Sequence, residues 1–155
     1  MIHARHTFRL IIAAILIFLL HAAFSDHLAI KSAHPNLALT SLFIICLFEN
    51  ATTGAWIGFL IGSMEGAYVG MYLGSFIVTR TIAGWTIGIL EERIFRDSPV
   101  VALLITLFGT LFVHAVFYFF APQPHLIQWI YRVAGEMVMN TIIALPLYYI
   151  IRKLA

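Results

Sequence analysis

Charge is scarce in this chain. Only 10% of its 155 residues are Asp, Glu, Lys or Arg, whereas a soluble domain carries about a quarter. Nine basic and seven acidic side chains do not solvate the surface of a globule this size, which excludes an ordinary water-soluble fold. Cysteine occurs once, at Cys46 inside an apolar run, so no disulfide framework forms within the chain. Catalytic signatures are missing as well: there is no HExxH, CxxC, GxSxG, Walker-type or Rossmann glycine loop. No Ser/His or Asp/Asp pair stands out within the apolar runs to suggest intramembrane proteolysis. Histidines cluster at His3/His6 and at His21/His27/His34, but without a metal-site pattern, and no metal or cofactor is expected. The net charge of +2 reflects basic flanks and gives no face for nucleic acid.

What is abundant is apolar surface. Hydrophobic residues make up 62% of the chain and mean hydropathy is +0.98. That excess belongs against lipid, in an all-α polytopic membrane protein. A crossing helix takes about 20 residues, so six would use roughly 120 of the 155. The remainder makes short loops and tails, and no extramembrane catalytic domain. Apolar segments suggest one transmembrane domain with spans near 8–24, 37–50, 54–64, 67–90, 100–121 and 133–151. Residues 1–24 also fit a signal peptide cleaved near Ala23, although the polytopic remainder favours an uncleaved first helix. Whether 37–64 crosses once or twice is open. Residues 123–132 read as a loop or interfacial stretch, with Trp129 and Tyr131 suited to the headgroup boundary.

Basic residues give the orientation. With six spans, Arg5, Arg9, Arg93, Arg96, Arg152 and Lys153 fall on one side, and Lys31 and Arg132 on the other. Basic loops stay inside, so both termini are expected in the cytoplasm.

The strongest internal pattern is glycine at every fourth position: Gly54, Gly58, Gly62, Gly66, Gly70 and Gly74. Such spacing lines one helix ridge and lets a neighbouring backbone approach closely. Each step advances about 40° around a helix, so the full ladder would wind through about 200°. No straight partner follows that. The expectation is therefore two packed helices broken near 63–67, with a helix-packing or partner interface at the six glycines and Phe59. Gly84 and Gly88 repeat the spacing.

Polar groups within apolar sequence form a second set: Glu65, Arg80, His114, Glu136 and Asn140. A charge at membrane depth costs roughly 2.5–3.5 kcal/mol on insertion scales, so each should be paired or line a wet cavity. Glu136 and Asn140 share a helix face. Arg80 has two available partners, Glu136 and Glu65, and rescue of Arg80→Ala by neutralising Glu136 is the expected signature of the first. Pro146 should kink the last span.

Several segments together resemble a family. His34-Pro35-Asn36-Leu37 opens a span leading to Gly54-Ala55-Trp56-Ile57-Gly58-Phe59-Leu60-Ile61-Gly62, then Gly70-Met71-Tyr72-Leu73-Gly74. The chain finishes with Asn140 to Tyr149, including Pro146, and then Arg152-Lys153. This order and spacing is similar to the bacterial rod shape-determining protein MreD family, over roughly 35–153. Two positions depart from it. Asn36 stands where the family commonly has Asp, and Gly66 where it has a second Asp, with Glu65 adjacent. The resemblance implies the six-helix fold of energy-coupling factor transporter S-components, in the bacterial inner membrane. It also implies a non-enzymatic scaffold for cell-wall elongation. The implied partners are MreC, a single-span periplasmic protein, with RodA and the elongation penicillin-binding transpeptidase nearby. An S-component-like subunit binding a vitamin is the alternative. It would show a polar pocket lined by groups such as Glu65, Arg80 and Glu136.

Overall fold

The computed structural model describes residues 2–24, 27, 33–91 and 97–155, and the side chains of these apart from 2–7 and 91. Lys31, Arg93 and Arg96, used above for orientation, lie outside the described residues, as does the Arg5 side chain. The described elements are helices in the order α1 (Ile2–Phe24), α2 (Leu37–Cys46), α3 (Ala51–Val69), α4 (Leu73–Glu91), α5 (Pro99–Phe120) and α6 (Leu126–Leu154). Among the described residues, three segments are long and apolar enough to cross a membrane: Leu73–Leu90, Pro99–Phe120 and Leu126–Leu154. Phe8–Phe24 and Leu37–Cys46 are shorter apolar helices. The outer faces carry large apolar side chains, such as Phe119, Tyr131, Ile127 and Trp56. Both features are consistent with a membrane protein.

Contacts between helix ends fix the topology. Cys46 at the end of α2 approaches Gly54 near the start of α3, while Asn36 before α2 reaches Glu65 near the end of α3. Gly66 faces Leu73, and Gly88 faces Ala51, so α3 and α4 are antiparallel. The Tyr68 hydroxyl donates to the Ala22 carbonyl, bringing the ends of α1 and α3 together. Arg152 meets Asp97, and His114 meets Glu136, so α5 and α6 are antiparallel too. The helices therefore alternate up and down. One end gathers Phe24, Asn36, Val69, Leu73, Phe120 and Leu126; the other holds Arg9, Asn50 and Arg152.

Short α2 is the axis of the core. Every residue from Ala38 to Leu47 is buried. Its sequence is apolar on all sides, and its two hydroxyls are satisfied locally: Thr40 donates to the Asn36 carbonyl and Ser41 to the Ala38 carbonyl. Asn36 caps the helix by accepting from the Leu39 amide at 2.8 Å. Ten residues span about 15 Å, half the hydrocarbon core of a bilayer. The backbone turns after Cys46, and Asn50 caps α3 through the Thr53 amide. Helix α3 thus begins before Gly54.

The break expected near 63–67 lies instead at 70–72. Helix α3 runs unbroken to Val69 and ends on Gly70, whose left-handed φ of 71° lets its amide reach the Gly66 carbonyl. Tyr72 also has positive φ, at 57°, a conformation that is costly outside glycine. Its ring packs against Phe117, 6.1 Å between centroids, which holds the turn. A partner inclined to the first helix follows a drifting ridge, so one unbroken α3 carries the winding glycines. Helix α4 meets all of Gly54, Gly58, Gly62 and Gly66. A Cβ added at Gly62 would lie 2.7 Å from the Phe76 carbonyl oxygen, and those at Gly54 and Gly58 would overlap backbone at Gly84 and Arg80.

Helix α6 starts at Leu126, earlier than 133, and continues through Pro146 to Leu154. Polar Gln128 and Arg132 are accommodated because both are exposed.

Candidate functional site

The polar residues set within apolar sequence, though scattered along the chain, assemble into one network. Glu65 on α3 and Arg80 on α4 are both almost fully buried. The Arg80 Nε donates to Glu65 Oε2 at 2.6 Å and Nη2 to Oε1 at 3.3 Å, a two-pronged pair. Nη1 donates to Thr79 Oγ1 at 3.1 Å, and the guanidinium stacks 4.7 Å from the Phe76 ring centre. Glu65 Oε1 accepts a further bond from Asn36 Nδ2 at 2.6 Å. Two charges removed from water are costly, and only several short bonds of this kind offset the loss.

The network continues beyond the ion pair. The Asn36 amide donates to Asn140 Oδ1 at 2.7 Å. Asn140 Nδ2 in turn lies 3.4 Å from Thr110 Oγ1 and 3.5 Å from Glu136 Oε1. Glu136 Oε2 faces His114 Nε2 at 3.1 Å, close but without hydrogen-bond alignment. A polar path thus links α4, α3, the start of α2, α6 and α5. Arg80 takes Glu65 as its partner, not Glu136. The expected rescue of Arg80→Ala through Glu136 therefore moves to Glu65, which sits one helix over along the same close interface.

Above this network a cleft of about 310 Å³ opens at the end of the bundle where α3 stops and α6 begins. Glu65, Arg80 and Asn36 form its polar floor. Aromatic walls come from Tyr72, Phe76, Phe117 and Trp129, with Phe76 and Phe117 rings 5.0 Å apart and His114 6.2 Å from Trp129. Arg132 and Glu136 of α6, with Gln123 from the segment before it, complete the lining. Among the described residues, no group of three or more His, Cys, Asp or Glu side chains gathers to hold a metal.

The chain matches no protein-family model, no curated protein and no solved structure.

The glycine set divides by role. Gly54, Gly58, Gly62 and Gly66 are spent on α4, inside the chain, and leave no ridge for a partner. Gly70 caps α3, and Gly74 has open space where its Cβ would be. Phe59 points outward, 45% exposed, with its ring against Trp56. These three do not belong to the packed ridge. Asn36 is the network member that sequence reading undervalued. A Pro-Asn pair directly before an apolar run is a helix-start signal, and it marks the residue that joins Glu65 to Asn140.

Proposed function

We propose that this chain is a non-enzymatic membrane scaffold of the MreD type, a six-helix bundle in the bacterial inner membrane with both termini in the cytoplasm. In this reading it holds the single transmembrane helix of an MreC-like partner near RodA and the elongation transpeptidase, and so positions peptidoglycan synthesis during cell elongation. The observation that carries the reading is the self-contained Glu65–Arg80–Asn36–Asn140 network. Its polar groups tie four helical elements to one another and present no nucleophile with a base beside it.

Two further features support it. Of the two departures from the MreD pattern, Asn36 and Gly66, the first bonds to Glu65, the acid beside the second. An amide at Asn36 avoids the like-charge repulsion that an acid there would meet from Glu65. The up-and-down order around a buried short helix also suits the S-component-like bundle, with basic Arg9, Arg152 and Lys153 opposite the cleft. The positive-inside rule then turns the cleft toward the periplasm. Because the α3 ridge is occupied by α4, the partner's helix meets an outer face instead.

A second reading, an S-component-like subunit for a small nutrient, is favoured by the cleft itself, with Glu65, Arg80 and Glu136 among its lining. Affinity purification from mild detergent separates the two. Recovery of a single-span periplasmic protein without an ATPase module supports the scaffold. A tightly held vitamin or an ATPase module in the same preparation overturns it.

A further inference from the structure

The cleft contains a cation outside the internal network, Arg132, and a carboxylate that the network holds only loosely, Glu136. Arg132 lines it with no ion pair or hydrogen bond among the described residues, whereas Arg80 is fully engaged by Glu65. One turn further along α6, Glu136 occupies the same face. The two side chains are not within ion-pair distance of each other, although helix spacing would permit it. Glu136 has only a long bond from Asn140. His114 Nε2, buried and lacking a hydrogen-bond partner, faces its other oxygen at 3.1 Å without alignment. A carboxylate has about four acceptor sites, and an unaligned ring nitrogen leaves most of them open.

The geometry points to a binding site for a small zwitterion, with its anionic group on Arg132 and its ammonium on Glu136 and His114. An ammonium carries three donors and can satisfy the carboxylate oxygen and a neutral imidazole nitrogen together. The neighbouring aromatic faces of Trp129, Tyr72 and Phe117 favour a cation and receive the short apolar link between the two charges. A volume of about 310 Å³ is at the small end of ligand pockets. The cleft opens at a helix end, where both a lipid headgroup and a dissolved compound have access. A phosphoethanolamine group has the required chemistry, whether it is the headgroup of a lipid or free in solution. This site is compatible with a scaffold and does not rest on the transporter reading.

The test uses the full chain in nanodiscs of phosphatidylglycerol, which supply no zwitterion. Trp56→Phe and Trp85→Phe remove tryptophans on outer faces and leave Trp129 as the fluorescent reporter. Titration with O-phosphoethanolamine, or replacement of part of the bilayer by phosphatidylethanolamine, should give a saturable change. A response to the soluble probe identifies a free ligand, and a response to the lipid alone identifies a headgroup. Inorganic phosphate and ethanolamine, each offering one charge, should bind at least about tenfold more weakly. Arg132→Gln, at an exposed position, and the isosteric Glu136→Gln should each weaken the zwitterion by about tenfold or more. The proposal is overturned by the absence of saturation with both zwitterions, by equal binding of inorganic phosphate, or by unchanged affinity in both variants. Partner copurification does not enter this readout, so scaffold and site fail separately.

Discussion

The α3–α4 hairpin and the α5–α6 hairpin are built on opposite packing rules. In the first, glycines bring two backbones into contact, with Gly54 against Gly84 and Gly88 against Ala51. In the second, bulky side chains hold the helices apart. Apolar cavities of about 190 Å³ and 370 Å³ border α5 on its two sides. The two close glycines of this hairpin, Gly109 and Gly135, meet the Phe43 ring and the Ala33 side chain, neither of them the facing helix backbone. Without a hydrophobic force between helices in lipid, close van der Waals contact is what makes a membrane interface tight. The first hairpin is therefore the rigid wall that fixes Glu65 and Arg80. The second leaves room, and the cleft lies where the two meet.

The largest effect expected from breaking this contrast is at Gly58. A leucine there drives its Cβ into the Arg80 carbonyl, which cannot rotate away. Gly58→Leu should lose more than about 4 kcal/mol, enough to abolish a folded peak in fluorescence-detected size exclusion. A folded, monodisperse variant would show that the wall is softer than its geometry implies.

Next comes the ion pair. Arg80→Ala strands a buried carboxylate and should cost about 3–5 kcal/mol. Adding Glu65→Gln should restore much of that, because a neutral amide still accepts from Asn36. Glu136→Gln should give no comparable rescue. Thermal unfolding in detergent, arranged as a double-mutant cycle, measures both couplings, and a larger coupling to Glu136 would reverse the assignment.

Asn140→Leu removes the acceptor for the Asn36 amide and should cost about 1–3 kcal/mol. Since Asn140 joins α6 to the start of α2, amide exchange at Leu39 and Thr40 should rise more than at residues of α3. Uniform change would mean that the bond does not couple the two helices.

The smallest effect belongs to Gly74, whose Cβ position is open. Gly74→Ala should shift stability by no more than about 1 kcal/mol, toward greater stability through helix propensity. A loss as large as that at Gly58 would mean that all glycines of the ladder act alike.

Some of this was legible along the chain. The apolar runs marked the helices, and Pro99 lay at the start of α5, but α6 begins at Leu126, well before its apolar run at 133. Glycine spacing announced a tight interface, but not that α4 would follow it, because the inclination between helices is not encoded in spacing. Glu65, Arg80, His114, Glu136 and Asn140 were visible as polar residues in apolar surroundings, so their gathering was expected. Their pairing was not. Arg80 had two acids to choose from, and α-helical periodicity gives the face of each residue without naming the facing helix.

Few charges and long unbroken apolar runs pointed along the chain itself to helices suited to an apolar environment, since barrel strands would alternate polar and apolar residues. Three-dimensional packing decided the rest. It chose Glu65 for Arg80, buried the short α2 at the centre, and placed Arg132 and Glu136 on the wall of a cleft. Those outcomes depend on how far each pair of helices can approach, which is set by side-chain volume on both partners at once.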